Sequence, residues 1–350
     1  MKIVLNGQFF IQKTTGQQRY AKEILAELDK IIVTNEISII IPKDAFLPSY
    51  NNIRVIRFGS LYNRLWEQIC LPFYLWKNRC KCLSFCNTTP IICPGPTVIH
   101  DTIIQEHPEY FTTVKGKFVR FYYNFIFNRI TKSRMPVITV TEYSKENIHR
   151  IHDIPYENIF VIGNAWQHFE RIRKNENFFN EHTDIKPNEF FFALGSLARQ
   201  KNFDWIYKNA KLYPNQKYII AGKPVGNYRQ SQEKLKNITY LGYISDEDIK
   251  TLMASCKSFI FPSIEEGFGI PPLEALSVGA KVIASNTSCL PEVLGNAVYY
   301  INPLDNTIDL NKLIDIPIEK KAIRLTLDKY SWQESAKKIY NFIKYCESNL

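Results

Sequence analysis

The stretch Phe261-Pro262-Ser263-Ile264-Glu265-Glu266-Gly267-Phe268-Gly269-Ile270-Pro271-Pro272-Leu273-Glu274-Ala275-Leu276 carries a strand-like run that begins at Ser258 into a helix-like run from Leu273 to Val278. Seven residues separate Glu266 from Glu274. Gly267 and Gly269 let the backbone approach a ligand closely, and Pro271 suits the first turn of a helix, where its missing N–H needs no partner. The amides ahead of that proline face an anion, because a helix N-terminus combines unpaired donors with the positive end of the dipole. Glu266 lies on the loop, within reach of sugar hydroxyls. Glu274 lies one turn into the helix, placed to accept hydrogen bonds from a ribose. Such a turn suits a phosphorylated sugar; the bland alternative is a βα turn with two solvated glutamates.

Outward from this turn, short apolar runs alternate with helical ones. Residues 190–194, 218–221, 238–241, 258–261, 281–284 and 298–301 read as strands of the second half. In the first half, 2–5, 37–41, 53–58, 97–100, 137–140 and 159–162 read as strands, with helices over 17–32, 65–77 and 115–132. That alternation predicts an α/β fold of two doubly wound, Rossmann-like domains in series, since parallel sheets need helices on both faces. At 350 residues the chain exceeds the size at which one core stops growing. The expected domains are 1–168 and 169–330, followed by a helix over 331–350, with the join in the polar stretch 166–186.

Hydrophobic residues make up 45% of the chain, with Phe 23 and Tyr 20, which sets it apart from disordered tails and low-complexity polymers. Five of the eight cysteines crowd into residues 70–93, but Cys80-Lys81-Cys82, Cys86 and Cys93 lack the paired spacings of structural zinc. Buried reduced thiols in a cytosolic protein are the expectation. The opening Met1-Lys2-Ile3-Val4-Leu5-Asn6-Gly7 reads as a core strand rather than a secretory leader. Residues 1–165 hold 20 basic against 13 acidic side chains, a net of +7 out of +10 for the whole chain. Phe118, Phe121, Tyr122, Phe125 and Ile126 recur at helical spacing among Lys115, Lys117, Arg120, Arg129, Lys132 and Arg134. Two readings of residues 115–134 stay open: a peripheral helix on an anionic inner-membrane surface, and a core helix with a solvated basic face. No recognition motif accompanies the charge, so nucleic acid is not expected.

Over sixteen positions, residues 261–276 resemble the E-x7-E signature of the retaining nucleotide-sugar glycosyltransferases of family four, which have the GT-B fold. The resemblance implies two domains facing across a cleft, with the last helix, from Tyr330-Ser331-Trp332, crossing back to the first domain. It also implies acceptor binding by the first domain and donor binding by the second. Gly195-Ser196-Leu197-Ala198-Arg199-Gln200-Lys201-Asn202 resembles the family's phosphate motif, with Lys201 the firmer cation and Arg199 the second. A cation there stabilises the departing diphosphate more in the transition state than in the ground state. The strand ending in His100-Asp101 resembles the family's element beside the reacting sugar, and Gly16 its N-terminal glycine loop. Gly222, Tyr243, Glu266, Gly267, Phe268, Gly269, Ile270 and Glu274 complete the expected donor site. Catalysis falls to His100, Asp101, Lys201 and Glu266.

Asp246-Glu247-Asp248 spells a metal-binding triplet of another transferase fold, but Ser245 before it and the helix dipole explain it as capping. No metal or other cofactor is therefore expected. The resemblance implies a cytoplasmic hexosyltransferase, membrane-peripheral under the first reading of residues 115–134, that passes a GDP- or UDP-linked sugar to a glycan or lipid-linked acceptor in surface polysaccharide synthesis. Rival readings are a nucleotide-sugar epimerase on the same scaffold and a non-catalytic nucleotide-sugar-binding regulator.

Overall fold

The computed structural model describes residues 1–46, 48–196, 198–222 and 235–349. Leu197, inside the expected phosphate turn, and Leu350, at the end of the expected final helix, lie outside them. The chain divides into two compact units, one of Met1–Asn164 with the segment from Ser331 onward, the other of Ala165–Tyr330.

In the first unit, β1 (Ile3–Asn6), β2 (Ser38–Ile41), β3 (Arg54–Arg57) and β4 (Lys81–Leu83) form a parallel sheet in the order β3-β2-β1-β4. A second parallel sheet, β5 (Thr97–Val98), β6 (Val137–Thr139) and β7 (Ile159–Val161), continues it through a bridge between Ser84 and Thr97. Every residue of β1 and β2 is buried, as expected of strands covered on both faces. Sequence periodicity missed β4, a three-residue strand inside the cysteine-rich segment. Its presence puts the reversal of strand order between β1 and β4, which is where open α/β sheets gather ligands.

The helix Trp332–Asn349 packs along the helix Gly16–Ile31. Trp332, Ala336, Ile339, Ile343 and Cys346 are buried at helical spacing, and the Tyr20 and Trp332 rings meet edge-on at 6.0 Å. The Glu347 side chain accepts from the Ile3 amide at 3.0 Å, tying this helix to β1.

The helix Val114–Ser133 buries Ile126, Phe127 and Ile130. Phe118, Phe121 and Phe125 are exposed, so the periodic stripe seen in the sequence is split: Ile126 points into the core, while its three phenylalanines point to solvent. Among the described residues, no helix is long and apolar enough to cross a membrane.

The second unit holds β8 (Phe190–Leu194), β9 (Lys217–Ala221), β10 (Ile238–Gly242), β11 (Ser258–Phe261), β12 (Val282–Ser285) and β13 (Tyr299–Ile301), all parallel, in the order β10-β9-β8-β11-β12-β13. Strand order reverses between β8 and β11. Phe191, Ala193, Tyr218, Ile220, Ile260 and Ile283 from four of these strands pack with Trp205 and Ile206 into one core.

Candidate functional site

Turns from β8 and β11 bring the two cation- and carboxylate-bearing motifs together at the switch point of the second sheet. After β8 the chain makes a short 3-10 turn, Arg199–Lys201, before the helix Phe203–Leu212; after β11 it runs through the loop 262–269 into the helix Ile270–Ser277. The Ile264 amide donates to the Gln200 carbonyl at 2.8 Å and locks one turn to the other. Lys201 Nζ then lies 2.5 Å from Glu266 Oε1, with side chains 22% and 11% exposed, and 5.3 Å from the centre of the Phe261 ring. Residues 65 positions apart thus form one ion pair, open enough for a ligand anion to share the ammonium.

The loop is anchored from beneath. The Thr287 hydroxyl donates to the Ile264 carbonyl at 3.0 Å, and the Cys289 thiol donates to the Glu266 carbonyl at 3.2 Å. Burial, reinforced by Glu266, pushes the Cys289 thiol well above its ordinary range, so it stays a neutral donor. Gly269 has φ +84°, and a Cβ there would stand 2.8 Å from Leu290 Cδ2, so both conformation and space demand glycine. Among the described residues, the amides of Phe268 and Gly269 have no partner, and Pro271 and Pro272 open the helix behind them. Phe268 is buried edge-on against Tyr330 at 5.1 Å, and Ile270 is buried at the helix start.

Glu274 is buried in the Ile270–Ser277 helix, and its Oε1 lies 2.7 Å from His168 Nε2, the two side chains being 9% and 1% exposed. Nothing in the sequence drew attention to His168, which stands 106 positions away in a short 3-10 turn, Gln167–Arg171. Gly222, at the end of β9, has φ +137°, and a Cβ on it would sit 1.7 Å from the Gly195 carbonyl oxygen. It therefore lets the ends of β8 and β9 close on each other. Tyr243 follows β10 with its side chain exposed, and Arg199 is exposed on its turn. Gly267 is half-buried on the loop. The Asp246–Asp248 triplet caps its helix: the Ser245 hydroxyl accepts from the Asp248 amide at 3.0 Å, and Asp248 Oδ1 accepts from Asn175 Nδ2 at 2.8 Å. Among the described residues, no His, Cys, Asp and Glu side chains gather as a metal site.

The remaining expected residues belong to the first unit. His100 is buried beyond β5; its ring Nε2 lies 2.8 Å from the Phe85 carbonyl, and its amide donates to Asn87 Oδ1 at 2.7 Å. A carbonyl only accepts, so Nε2 carries the proton. Burial lowers the ring to about 4, which leaves it neutral near pH 7 with Nδ1 as an acceptor. Asp101 Oδ1 accepts from the Ile103 amide at 3.3 Å. Gly16 opens the helix Gly16–Ile31, exposed, beside Thr15, whose amide donates to Gln18 Oε1 at 3.1 Å. All eight cysteines are free thiols.

Residues 174–339 match the family described as glycosyl transferases group 1. The chain is 28% identical over 226 residues to the O-antigen chain mannosyltransferase RfbU of Salmonella typhimurium, covering 63% of this chain and 60% of that protein. It is 28% identical over 218 residues to the serotype-specific mannosyltransferase WbdA of Escherichia coli, covering 57% of this chain and 25% of that one. The match thus spans from a quarter to about three fifths of these relatives. Among solved structures, sucrose-phosphate synthase from Thermosynechococcus elongatus superposes with a TM-score of 0.74 at 13% identity, covering 100% of both chains. WaaG, a glycosyltransferase involved in lipopolysaccharide biosynthesis, gives 0.69 at 14% identity, covering 97% of this chain and 98% of that one.

Proposed function

We propose that the chain, whose residues 174–339 match the group 1 glycosyltransferases and whose fold is GT-B, is a family-four enzyme that moves a hexose from a GDP- or UDP-linked donor to a glycan or lipid-linked acceptor in surface polysaccharide synthesis, with retention. Mannose is the first sugar to test, since RfbU and WbdA are mannosyltransferases by name. The observation that supports this reading most is the Lys201–Glu266 pair at the ends of β8 and β11, beside the unpartnered Phe268 and Gly269 amides.

In this reading the donor diphosphate takes the place of Glu266 as partner of the Lys201 ammonium, with Arg199 and the loop amides as further donors. Charge that builds on the leaving diphosphate is met by groups already held in place, the largest electrostatic contribution an enzyme makes. Freed from Lys201, the Glu266 carboxylate accepts from sugar hydroxyls, while Glu274, oriented by His168, accepts from the ribose. A neutral His100 serves the first unit's ligand as a hydrogen-bonding group rather than a cation. The proton of the acceptor hydroxyl passes to the leaving phosphate oxygen on the same face of the sugar, which retains configuration.

A donor panel, GDP-mannose, UDP-glucose and UDP-N-acetylglucosamine, with and without lipid-linked acceptor, tests the reading through nucleoside diphosphate release. Release that depends on acceptor supports transfer. Conversion of the sugar without acceptor establishes an epimerase instead, and binding with neither outcome leaves a regulator.

We also propose peripheral contact with anionic lipid at the inner face of the cytoplasmic membrane, through the helix Val114–Ser133. Its exposed Phe118, Phe121 and Phe125 lie in a stretch, between Glu109 and Glu142, with six basic and no acidic residues. Vesicle binding that salt weakens, and that replacing Lys115, Lys117 and Arg120 abolishes, is the expected result; salt-indifferent binding or none removes the contact.

A further inference from the structure

The first unit has its own switch point, between β1 and β4, and a small polar cavity lies at the carboxyl ends of those two strands. Two hydrogen-bonded systems meet there. One is a relay of amides: the Thr15 amide donates to Gln18 Oε1, Gln18 Nε2 to Gln12 Oε1 at 2.7 Å, and Gln12 Nε2 to Gln8 Oε1 at 2.8 Å. Each link fixes the orientation of the next amide, so the relay must end on a donor. That donor is Gln8 Nε2, on a cavity-lining residue that is 3% exposed, and it has no partner among the described residues.

The other system is built on Glu67, which is wholly buried in the π-helical turn Trp66–Cys70. Its Oε1 accepts from Asn6 Nδ2 at 2.8 Å and from the Thr88 hydroxyl at 2.9 Å. Among the described residues, Oε2 has only a long contact, 3.3 Å, from Gln68 Nε2. π-Helical turns are rare and recur at functional sites. Burial raises the affinity of this carboxyl for a proton, the state of a group that gains from a hydrogen-bonding ligand. The cavity is half-open, with the rings of Phe9 and Phe85 meeting edge-on at 6.0 Å in its wall and a volume of about 10 Å³. That is room for one oxygen-sized group.

We propose that this cavity is a recognition subsite for the carbohydrate acceptor, seating one sugar hydroxyl that accepts from Gln8 Nε2 and donates to the Glu67 carboxyl. A hydroxyl is the ligand that both offers and takes a hydrogen bond. Burial already disfavours negative charge beside the Glu67 carboxyl, so a phosphate or carboxylate is a poor ligand here, and a cation would face the Gln8 N–H. The inference rests on the reading that the first unit binds acceptor.

The test pairs Gln8→Met, which keeps the volume and removes the donor, with Glu67→Gln, using methyl α-mannoside, methyl α-glucoside and their monodeoxy derivatives as acceptor probes. The expected result for Gln8→Met is a rise in acceptor KM of about 10- to 100-fold with donor KM unchanged. One monodeoxy probe should lose by a similar factor with the natural protein, yet no longer lose with Gln8→Met. That coupling would not arise if Gln8 only stabilised the fold. Equal deoxy penalties in both proteins, or a resident water only, with kinetics unchanged in the variant, overturn the proposal. Saturation-transfer NMR with the same probes reads the comparison without turnover; glycosides that bind neither protein, or both equally, also overturn it. Loss of nucleotide sugar turnover in the natural protein while that NMR contrast persists would instead refute transfer and leave the subsite standing.

Discussion

Replacing Lys201 by methionine separates the two tasks of the Lys201–Glu266 pair. At 2.5 Å the pair is close, but exposures of 22% and 11% mean that solvent screens it and that neither charge is fully stripped of water. Exposed pairs contribute about 0–1 kcal/mol, and breaking a buried one costs about 3–5, so an intermediate loss of about 1–3 kcal/mol is expected for Lys201→Met. Most of that loss is the penalty of a carboxylate left without its cation, so Lys201→Met/Glu266→Gln should recover more than half of it. Activity should follow the opposite logic. A cation aimed at a departing diphosphate contributes about 10²- to 10³-fold to the rate, and removing the carboxylate cannot restore it. Urea unfolding measures the first quantity and acceptor-dependent release of nucleoside diphosphate the second. A folded Lys201→Met protein with kcat/KM within threefold of the natural one would refute the assignment. So would a double variant that regains activity along with stability.

Gly269→Ala puts a Cβ at φ +84° and 2.8 Å from Leu290 Cδ2, and should cost about 1–3 kcal/mol in a urea melt while weakening nucleotide binding; an unchanged midpoint would contradict the geometry. Glu274→Ala should weaken nucleotide-sugar affinity by about tenfold in calorimetry, and His168→Ala should do the same by releasing the carboxylate; a change in either alone would uncouple them. Burial lowers both His100 and His152 to about 4, so between pH 6.5 and 4 the unfolded chain binds more protons than the folded one. Stability should therefore fall as the solution is acidified through that window, by up to about 3 kcal/mol for each histidine. His100→Asn should flatten the slope, and an equal slope in the variant would show that His100 does not titrate this way.

Much of the second unit was legible because its strands are long apolar runs, 190–194 and 258–261 among them, set off by glycine, proline and polar turns. The parallel character followed from helices between them, and the E-x7-E turn announced its own geometry through Gly269 and Pro271. What stayed hidden was whatever depended on residues far apart in the chain meeting. Lys201 and Glu266 came from separate motifs, and only the Ile264–Gln200 backbone bond makes them partners. His168 carries no local signal, being one of the chain's six histidines and lying in a polar stretch. β4 was missed because Lys81-Cys82-Leu83 is too short to show alternation, and Glu67 because a π-helical turn keeps helical spacing in the sequence. In the helix Val114–Ser133, periodicity marked an apolar stripe but could not say which face would pack. Of that stripe Ile126 took the core, together with Phe127 and Ile130, while Phe118, Phe121 and Phe125 stayed exposed.

Amide hydrogen exchange on adding GDP-mannose or UDP-glucose tests the location of the donor site most directly. Slower exchange concentrated in residues 198–202 and 264–274, the turns that follow β8 and β11, is the predicted result. Protection confined to other segments, or none at saturating nucleotide sugar, would contradict it.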